Sequence, residues 1–218
     1  MLAGSANPHK LVEIREILSG QGVEVVGPGV LPSPVRVVED GRTFEENARL
    51  KALAFARAAA ALPAEERPGW VVCDDSGLCV NALDGAPGVR SARFAGAGAS
   101  DRKNNLLLLE KLEAVKPEDR GAVFVSTVAC AAVPEPGVEP QVLFVTRGEC
   151  RGRILDAPRG EAGFGYDPLF LLPELGKTYA ELDAEEKNAI SHRARALERF
   201  SERFGRLAGV PPRAGSGS

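Results

Sequence analysis

Residues 70–80 read Trp-Val-Val-Cys-Asp-Asp-Ser-Gly-Leu-Cys-Val, a stretch that joins an apolar run to an unusual polar pair. The apolar run at residues 70–73 predicts a buried β-strand, and residues 78–80 predict a second short strand after a polar turn. Asp74 and Asp75 open that turn, and two adjacent carboxylates repel each other unless water or a cation lies between them. Because open α/β sheets place catalytic groups where strands end, the pair is typical of an α/β enzyme.

The acidic pair has other interpretations. With Ser76 and Gly77 it could form a solvated Asx-turn, and Cys73 with Cys79 could ligate zinc. The two cysteines lack the C-x-x-C spacing of zinc sites, and a doubled Asp exceeds what a turn requires. Mg²⁺ needs only one or two protein carboxylates when phosphate oxygens supply other ligands. The pair therefore favours a metal site or a general base.

The composition indicates one globular domain. The chain has 218 residues, of which 44% are apolar, and this content supports a substantial core. A formal net charge of −3 argues against nucleic-acid and membrane partners, and no stretch resembles a membrane span. Four scattered cysteines favour reduced thiols and a cytoplasmic protein. Strand and helix patterns mix along residues 1–210, which predicts one α/β domain with a mixed sheet, and residues 211–218 form a polar tail that we expect to be disordered.

Two predicted helix starts carry groups that suit a polyphosphate. Residues 5–10 combine an Asn, a Pro in the first helical turn and a lysine, which form either an ordinary helix cap or a phosphate site. Thr43 and Glu46 have the spacing of a capping box, so Glu46 either satisfies backbone donors or binds a metal. Asn47 and Lys51 lie four residues apart and share one face of the same helix.

Two later segments carry aromatic and polar groups. Residues 164–167 could stack on a planar base and bind its edge, or form an ordinary turn before a core strand. Lys187, His192 and Arg193 collect hydrogen-bond donors, although exposed helical charge would explain the lysine and the arginine. Ser191 has the residue type of an N-cap and could begin a new helix.

Six blocks that include these segments occur in order along the chain. They are SANPHK (5–10), TFEENA with Lys51 (43–51), DDSGL (74–78), GAPG (85–88), GFGYDP (163–168) and EKN with ISHR (186–193). Together they resemble the ITPase/RdgB family of noncanonical purine nucleoside triphosphate pyrophosphatases. The resemblance implies an elongated α/β domain with a curved mixed sheet, flanking helices and two lobes around a central cleft. It also implies a homodimer and Mg²⁺-dependent hydrolysis of ITP, dITP and XTP to the monophosphate and pyrophosphate.

The resemblance further implies roles for single residues. The substrate triphosphate would contact Ser5, Ala6, Asn7, Pro8, His9, Lys10, Lys51 and Ser76. Mg²⁺ would bind Glu46 and Asp75 with Asp74 beside them, and Asp75 would be the general base. The substrate base would contact Phe164, Gly165, Tyr166, Asp167, Lys187, His192 and Arg193.

Two other functions stay open from the sequence. A pyrophosphatase of related fold could act on other bases, although it should lack the Ser191-His192-Arg193 segment present here. A noncatalytic nucleotide-binding module is the third possibility, and it would tolerate loss of the acidic pair.

Overall fold

A mixed sheet of six strands forms the centre of the molecule. The computed structural model describes residues 1–19 and 22–209. The strands are β1 (Leu2–Ala3), β2 (Trp70–Val80), β3 (Gly121–Ala132), β4 (Val142–Ile154), β5 (Phe170–Leu172) and β6 (Lys177–Thr178). They are adjacent in chain order, β1 is parallel to β2, and all other neighbouring pairs are antiparallel. The predicted mixed sheet with flanking helices is confirmed, and the sheet is open, with β1 and β6 as its edges.

Helices cover both faces of this sheet. They are α1 (Pro8–Ser19), α2 (Phe44–Ala59), α3 (Asp101–Lys111), α4 (Ala184–Ile190) and α5 (His192–Ala208). α2 packs on the face that carries Val71 and Cys73, whereas α1 and α5 pack on the face that carries Val72 and Val128. This division follows from the alternation of side chains along a strand. No helix among the described residues is long and apolar enough to cross a bilayer.

The predicted turn at the acidic pair is wrong, because β2 is one continuous strand. Its pairing with β3 runs without interruption from Trp70 opposite Ala132 to Val80 opposite Ala122. The acidic pair therefore lies within the strand and not after its end. The repulsion that suggested a turn is offset because a cation from a distant segment pairs with each carboxylate, Lys10 with Asp74 and Lys51 with Asp75.

β1 ends long before β2 does, and this difference in length creates the site. β1 pairs only with Val71 and Val72, so the edge of β2 beyond Val72 has no neighbouring strand on that side. The loop at residues 4–7 follows β1 and runs beside this edge, starting with the N–H of Gly4, which donates to the carbonyl of Val72 at 2.9 Å. A side chain at Gly4 would overlap Cys73 and Phe55, so the close approach of this loop requires glycine.

The C-terminal helical region divides at Ser191, as its residue type suggested. The Ser191 hydroxyl accepts a hydrogen bond from the N–H of Ala194 at 3.1 Å and caps α5. His192 and Arg193 therefore occupy the first turn of α5. The tail predicted at residues 211–218 lies outside the described residues.

α5 is docked firmly against β4. Three arginines spaced four residues apart on α5 donate to alternate carbonyl groups of β4, and the pairs are Arg195 with Glu149, Arg199 with Arg147 and Arg203 with Val145. The spacings match, since four helical residues span about 6 Å and two strand residues about 6.8 Å. A side chain at Gly148 would overlap the backbone of His192 and Ala196. This close contact places the first turn of α5 near β2.

Candidate active site

The loop after β1 ends in the N-cap of α1. The side-chain oxygen of Asn7 accepts hydrogen bonds from the N–H groups of His9 at 2.9 Å and Lys10 at 3.4 Å. The hydroxyl of Ser5 accepts one from the N–H of Asn7 at 3.2 Å. The cap interpretation of this segment is therefore confirmed. The cap also orients Lys10, whose ammonium lies 2.7 Å from a carboxylate oxygen of Asp74.

Asp74 is fully buried on the face of β2 that α1 and α5 cover. Besides Lys10, it contacts Ser126 Oγ at 2.5 Å, Ser76 Oγ at 3.1 Å and a guanidinium nitrogen of Arg193 at 3.4 Å. Burial by itself would raise the pKa of Asp74, but the positive charges of Lys10 and Arg193 outweigh it and hold this pKa far below its usual range. Asp74 is therefore a permanent anion that organises two cations.

Asp75 points to the opposite face, towards α2, because successive strand residues alternate. Its carboxylate contacts Lys51 Nζ at 2.6 Å and the amide nitrogen of Asn47 at 3.3 Å. Lys51 Nζ also lies 3.0 Å from Glu39, so two carboxylates converge on one ammonium. Burial raises the pKa of Asp75 to about 6, although Lys51 opposes the change. A carboxylate with this pKa suits a general base near neutral pH.

Glu46 forms the predicted capping box with Thr43. One of its carboxylate oxygens accepts the N–H groups of Arg42 at 2.5 Å and Thr43 at 3.2 Å, while Thr43 Oγ1 accepts the N–H of Glu46 at 3.1 Å. Within residues 1–19 and 22–209, no three His, Cys, Asp or Glu side chains cluster as a metal site. The donor set still fits Mg²⁺, since carboxylate oxygens from Glu46 and Asp75 could act together with the phosphate oxygens of a ligand.

The loop at residues 163–167 and the two C-terminal helices meet at a second cluster. Asp167 accepts hydrogen bonds from Lys187 Nζ at 2.8 Å and from the N–H of Phe164 at 2.9 Å. The Lys187 ammonium and the Arg193 guanidinium lie 5.0 and 5.8 Å from the centre of the Phe164 ring. Burial raises the pKa of Asp167, against the effect of Lys187. The structure thus brings together these four residues, all of which the resemblance assigns to the base.

Glu13 connects the two clusters, and the sequence prediction missed it. Its two carboxylate oxygens bind Lys187, at 3.2 Å, and Arg193. Burial opposes its ionisation, but Arg193 and Lys187 together lower the pKa of Glu13. An unbroken series of alternating charges therefore links the α1 loop to the aromatic loop, and its members are Lys10, Asp74, Arg193, Glu13, Lys187 and Asp167.

Two other predicted residues of the aromatic loop have structural contacts. Gly165 is held by α3, because its N–H donates to Asp101 at 2.7 Å and its carbonyl accepts from the Asn105 amide at 3.0 Å. Tyr166 is buried, and its hydroxyl donates to the carbonyl of Ser91 at 2.9 Å. These contacts hold the two residues that directly follow Phe164, so they restrict the movement of the Phe164 backbone.

His192 is buried in the aromatic core. Its ring stacks on Phe124, with centroids 4.8 Å apart, and on Tyr179 at 6.1 Å. Burial lowers the pKa of His192 well below its usual value, so the imidazole is neutral. The ring supports the first turn of α5, and its Nδ1 atom has no hydrogen-bond partner among the described residues.

Four residues of the site were not predicted as site residues. Glu13 lies one turn after His9 on α1, and this spacing is the only signal that could have pointed to it. Asn47 shares a helix face with Lys51 and was considered with it as part of a metal and polyphosphate site, but only Lys51 was assigned a contact. Glu39 lies in a loop before α2 and Ser126 lies on β3, so only the tertiary fold brings them to the carboxylates.

The site combines cations beside buried carboxylates with an aromatic loop and two adjacent donors. These groups could bind an anionic ligand that has a planar ring, as expected for a nucleotide-binding α/β protein. A sequence profile of the Ham1 family matches residues 1–203, and the chain belongs to this family.

Individual relatives agree with this assignment. The chain is 46% identical over 205 residues to the dITP/XTP pyrophosphatase of Geobacter sulfurreducens, covering 94% of this chain and 96% of that protein. Its structure is similar to the Ham1 protein of Staphylococcus aureus, with a TM-score of 0.77, 38% identity and coverage of 94% and 98%. A structure titled nucleoside-triphosphatase / dITP/XTP pyrophosphatase from Mycobacterium abscessus gives a TM-score of 0.69 at 41% identity, with coverage of 91% and 97%.

Proposed function

We propose that this chain hydrolyses dITP, ITP and XTP to the monophosphate and pyrophosphate, and so removes noncanonical purine nucleotides from the pool. The relatives named dITP/XTP pyrophosphatase match nearly the whole chain, which supports this activity. The observation that carries the proposal is the position of Asp75. It lies in the part of β2 that has no neighbouring strand on the β1 side, and burial raises its pKa to about 6. It directly follows Asp74, whose contact with Lys10 belongs to the series of charges that ends at the aromatic loop.

The reaction breaks the bond that joins the α-phosphorus to the bridging oxygen of the β-phosphate, or the bond on the β side of that oxygen. We assign the proton acceptor to Asp75, which takes a proton from the attacking water as this bond breaks. Pyrophosphate is the leaving group if water attacks the α-phosphorus, and the monophosphate is the leaving group if water attacks the β-phosphorus. Lys10 and Lys51 supply fixed positive charge on the two sides of β2. The triphosphate would lie along the loop at residues 5–10, with Ser76 beside the phosphates. The Ser76 hydroxyl accepts a hydrogen bond from Arg193 at 2.9 Å.

Mg²⁺ is the proposed cofactor, and Glu46 with Asp75 would hold it. When bound, the ion offsets the negative charge of the phosphates and polarises their oxygens. Asp74 has a different assignment, because its oxygens are occupied by Lys10, Ser126, Ser76 and Arg193 on the other face of the strand. We assign Asp74 to positioning Lys10 and Arg193.

Base specificity would follow from the donors beside Phe164. Hypoxanthine and xanthine present a keto acceptor at position 6, where adenine presents an amino donor. Lys187 and Arg193 are cations that can donate to a keto oxygen, whereas an amino group would oppose them. Sites built to bind one hydrogen-bond pattern can discriminate strongly against another, by about 10⁴ or more.

A nucleotide panel tests the activity. ITP, dITP, XTP, ATP and GTP are incubated with the protein, with and without Mg²⁺, and pyrophosphate and orthophosphate are measured separately. We expect pyrophosphate from the first three substrates, only when Mg²⁺ is present. Release of orthophosphate would contradict the reaction type, and turnover of ATP at the same rate would contradict the specificity.

We further infer that the protein is a cytoplasmic homodimer. The four cysteines are free thiols, which fits a reducing compartment, and the dimer rests on the family resemblance. Size-exclusion chromatography with light scattering should give twice the chain mass of 23.0 kDa. A monomer mass at micromolar concentration would contradict the dimer.

A further inference from the structure

His9, in the first turn of α1, contacts the aromatic loop through its side chain. The His9 imidazole and the Phe164 ring are stacked, with centroids 5.3 Å apart and planes inclined by 16°. His9 is exposed, and its backbone N–H is fixed by the side chain of Asn7. Its ring can therefore move while its backbone stays in place.

One face of α1 carries both His9 and the residue that binds Lys187 and Arg193. His9 and Glu13 are four residues apart and thus share a face of α1. Glu13 binds both Lys187 and Arg193, so this face of α1 is turned towards these two donors. The aromatic loop also borders a cavity of about 560 Å³, whose lining includes α3 residues and neither donor. That cavity therefore offers a base neither Lys187 nor Arg193.

We propose that His9 forms the outer wall of the base slot, so that the purine ring lies between the imidazole of His9 and the phenyl ring of Phe164. This inference deepens the function proposed above and rests on it. It also gives His9 a different role from the triphosphate contact that the family resemblance implies. In the structure the two rings cover each other, which keeps their apolar faces from water.

The movement required for binding is small. A ring inserted between two others needs about 3.5 Å on each side, or about 7 Å between the outer rings. The present separation of 5.3 Å is shorter, so the exposed His9 side chain must swing outward while Phe164 stays on its support. Base stacking on an aromatic ring is sequence-tolerant, so His9 would increase affinity for all purines while Lys187 and Arg193 select among them.

Four proteins test the proposal: the wild type, His9→Ala, His9→Phe and the control Val12→Ala. Val12 is an exposed residue of the same helix. For His9→Ala we expect KM for ITP and XTP to rise about tenfold, as for loss of one stacking contact, with kcat nearly unchanged. His9→Phe should restore KM, because it keeps a stacking ring without the imidazole nitrogens, and Val12→Ala should match the wild type.

A ligand without a base separates the two roles of His9. Inorganic tripolyphosphate should inhibit wild type and His9→Ala equally if His9 contacts only the base. An inhibition constant that rises as much as KM would assign His9 to the phosphates and overturn the proposal. A KM that is unchanged or lower in His9→Ala would also overturn the proposal. A KM in His9→Phe that stays as high as in His9→Ala would overturn it as well.

Binding measurements keep this test separate from the proposed activity. Calorimetry with the α,β-imido analogue of ITP reports affinity without turnover, and His9→Ala should weaken it about tenfold. Wild-type protein that binds the analogue but releases no pyrophosphate from ITP would contradict the proposed function only. Equal affinity of wild type and His9→Ala for the analogue would contradict the role of His9 only.

Discussion

The two faces of β2 carry the same residue type at neighbouring positions and give it opposite properties. Asp74 faces α1 and α5, contacts two cations and two hydroxyls, and has a pKa far below the usual range. Asp75 faces α2, has one ammonium that it shares with Glu39, and has a pKa raised to about 6. The comparison teaches that the number of cations per carboxylate, and not burial alone, decides which aspartate can accept a proton.

Replacing Asp75 should cause the largest loss of activity. In Asp75→Asn we expect kcat to fall by about 10²–10⁴, because a positioned general base contributes that much. Lys51 keeps Glu39 as a partner, so thermal unfolding should stay at or above the wild-type temperature. Steady-state kinetics and calorimetry measure both quantities. A variant with full turnover would remove Asp75 from the mechanism and favour a binding module.

Replacing Asp74 should cause the largest loss of stability. In Asp74→Asn, Lys10 and Arg193 lose a buried counter-charge, and the free energy of unfolding should fall by about 3–5 kcal/mol. Urea denaturation measures the change. The exposed Asp119 provides the control, since Asp119→Asn should alter stability little. An Asp74→Asn protein as stable as the wild type would show that Asp74 does not anchor the two cations.

Replacing Lys187 should change the preference for ITP over ATP. In Lys187→Met we expect kcat/KM for ITP to fall about tenfold or more relative to ATP, as expected for loss of a hydrogen bond from a charged donor. Competition between the two nucleotides gives this ratio directly. Lys177→Met is the control, because Lys177 pairs with Glu186 at the surface and contacts neither Phe164 nor Asp167. An unchanged ratio would assign base selection to other residues.

The pH dependence of activity and of stability should distinguish Asp75 from Asp74, with a smaller effect than the substitutions above. The value of kcat/KM should be constant above about pH 6 and fall tenfold per unit below it, as Asp75 becomes protonated. The effect on stability has the opposite direction. Because the folded-state pKa of Asp75 is raised, its protonation stabilises the fold as the pH falls from about 6 towards its unfolded value, and Asp75→Asn should lack this gain.

Asp74 contributes the reverse dependence. Its folded-state pKa is depressed, so its stabilisation is present above the unfolded pKa and is lost only as the pH falls below that value. Between pH 7 and pH 5 Asp74 thus contributes no change in stability, and the pH dependence comes from Asp75. The unfolding temperatures of wild type and Asp75→Asn should therefore converge as the pH falls from 7 to 5. A gap between them that widens as the pH falls would contradict the assignment.

Local features of this fold were predictable from the sequence, whereas the continuity of β2 was not. The caps at Asn7, Thr43 and Ser191 were recognisable because each depends on residues within one helical turn. The position of Asp74 within a strand depends on Arg193, which is 119 residues away, and that of Asp75 on Lys51, which is 24 residues away. A turn was the natural expectation as long as the carboxylates had no visible partners.

The functional site was likewise predictable only where its residues form local sequence patterns. The order of the six blocks was enough to indicate the family, and the profile match over residues 1–203 confirms it. Glu13 and Glu39 were missed because a single carboxylate on a helix or in a loop has no local pattern that marks it. Their roles depend on the cations that the fold brings to them.

Carboxyl-carbon NMR titration of the two aspartates tests the central claim most directly. Spectra of wild type, with Asp74→Asn and Asp75→Asn used for assignment, report the pKa of each carboxylate separately. The account predicts that Asp75 titrates near pH 6 and that Asp74 remains ionised to the lowest pH at which the protein stays folded. Titration of Asp74 near pH 6, or of Asp75 in the ordinary range of aspartate, would contradict the division of roles between the two faces of β2.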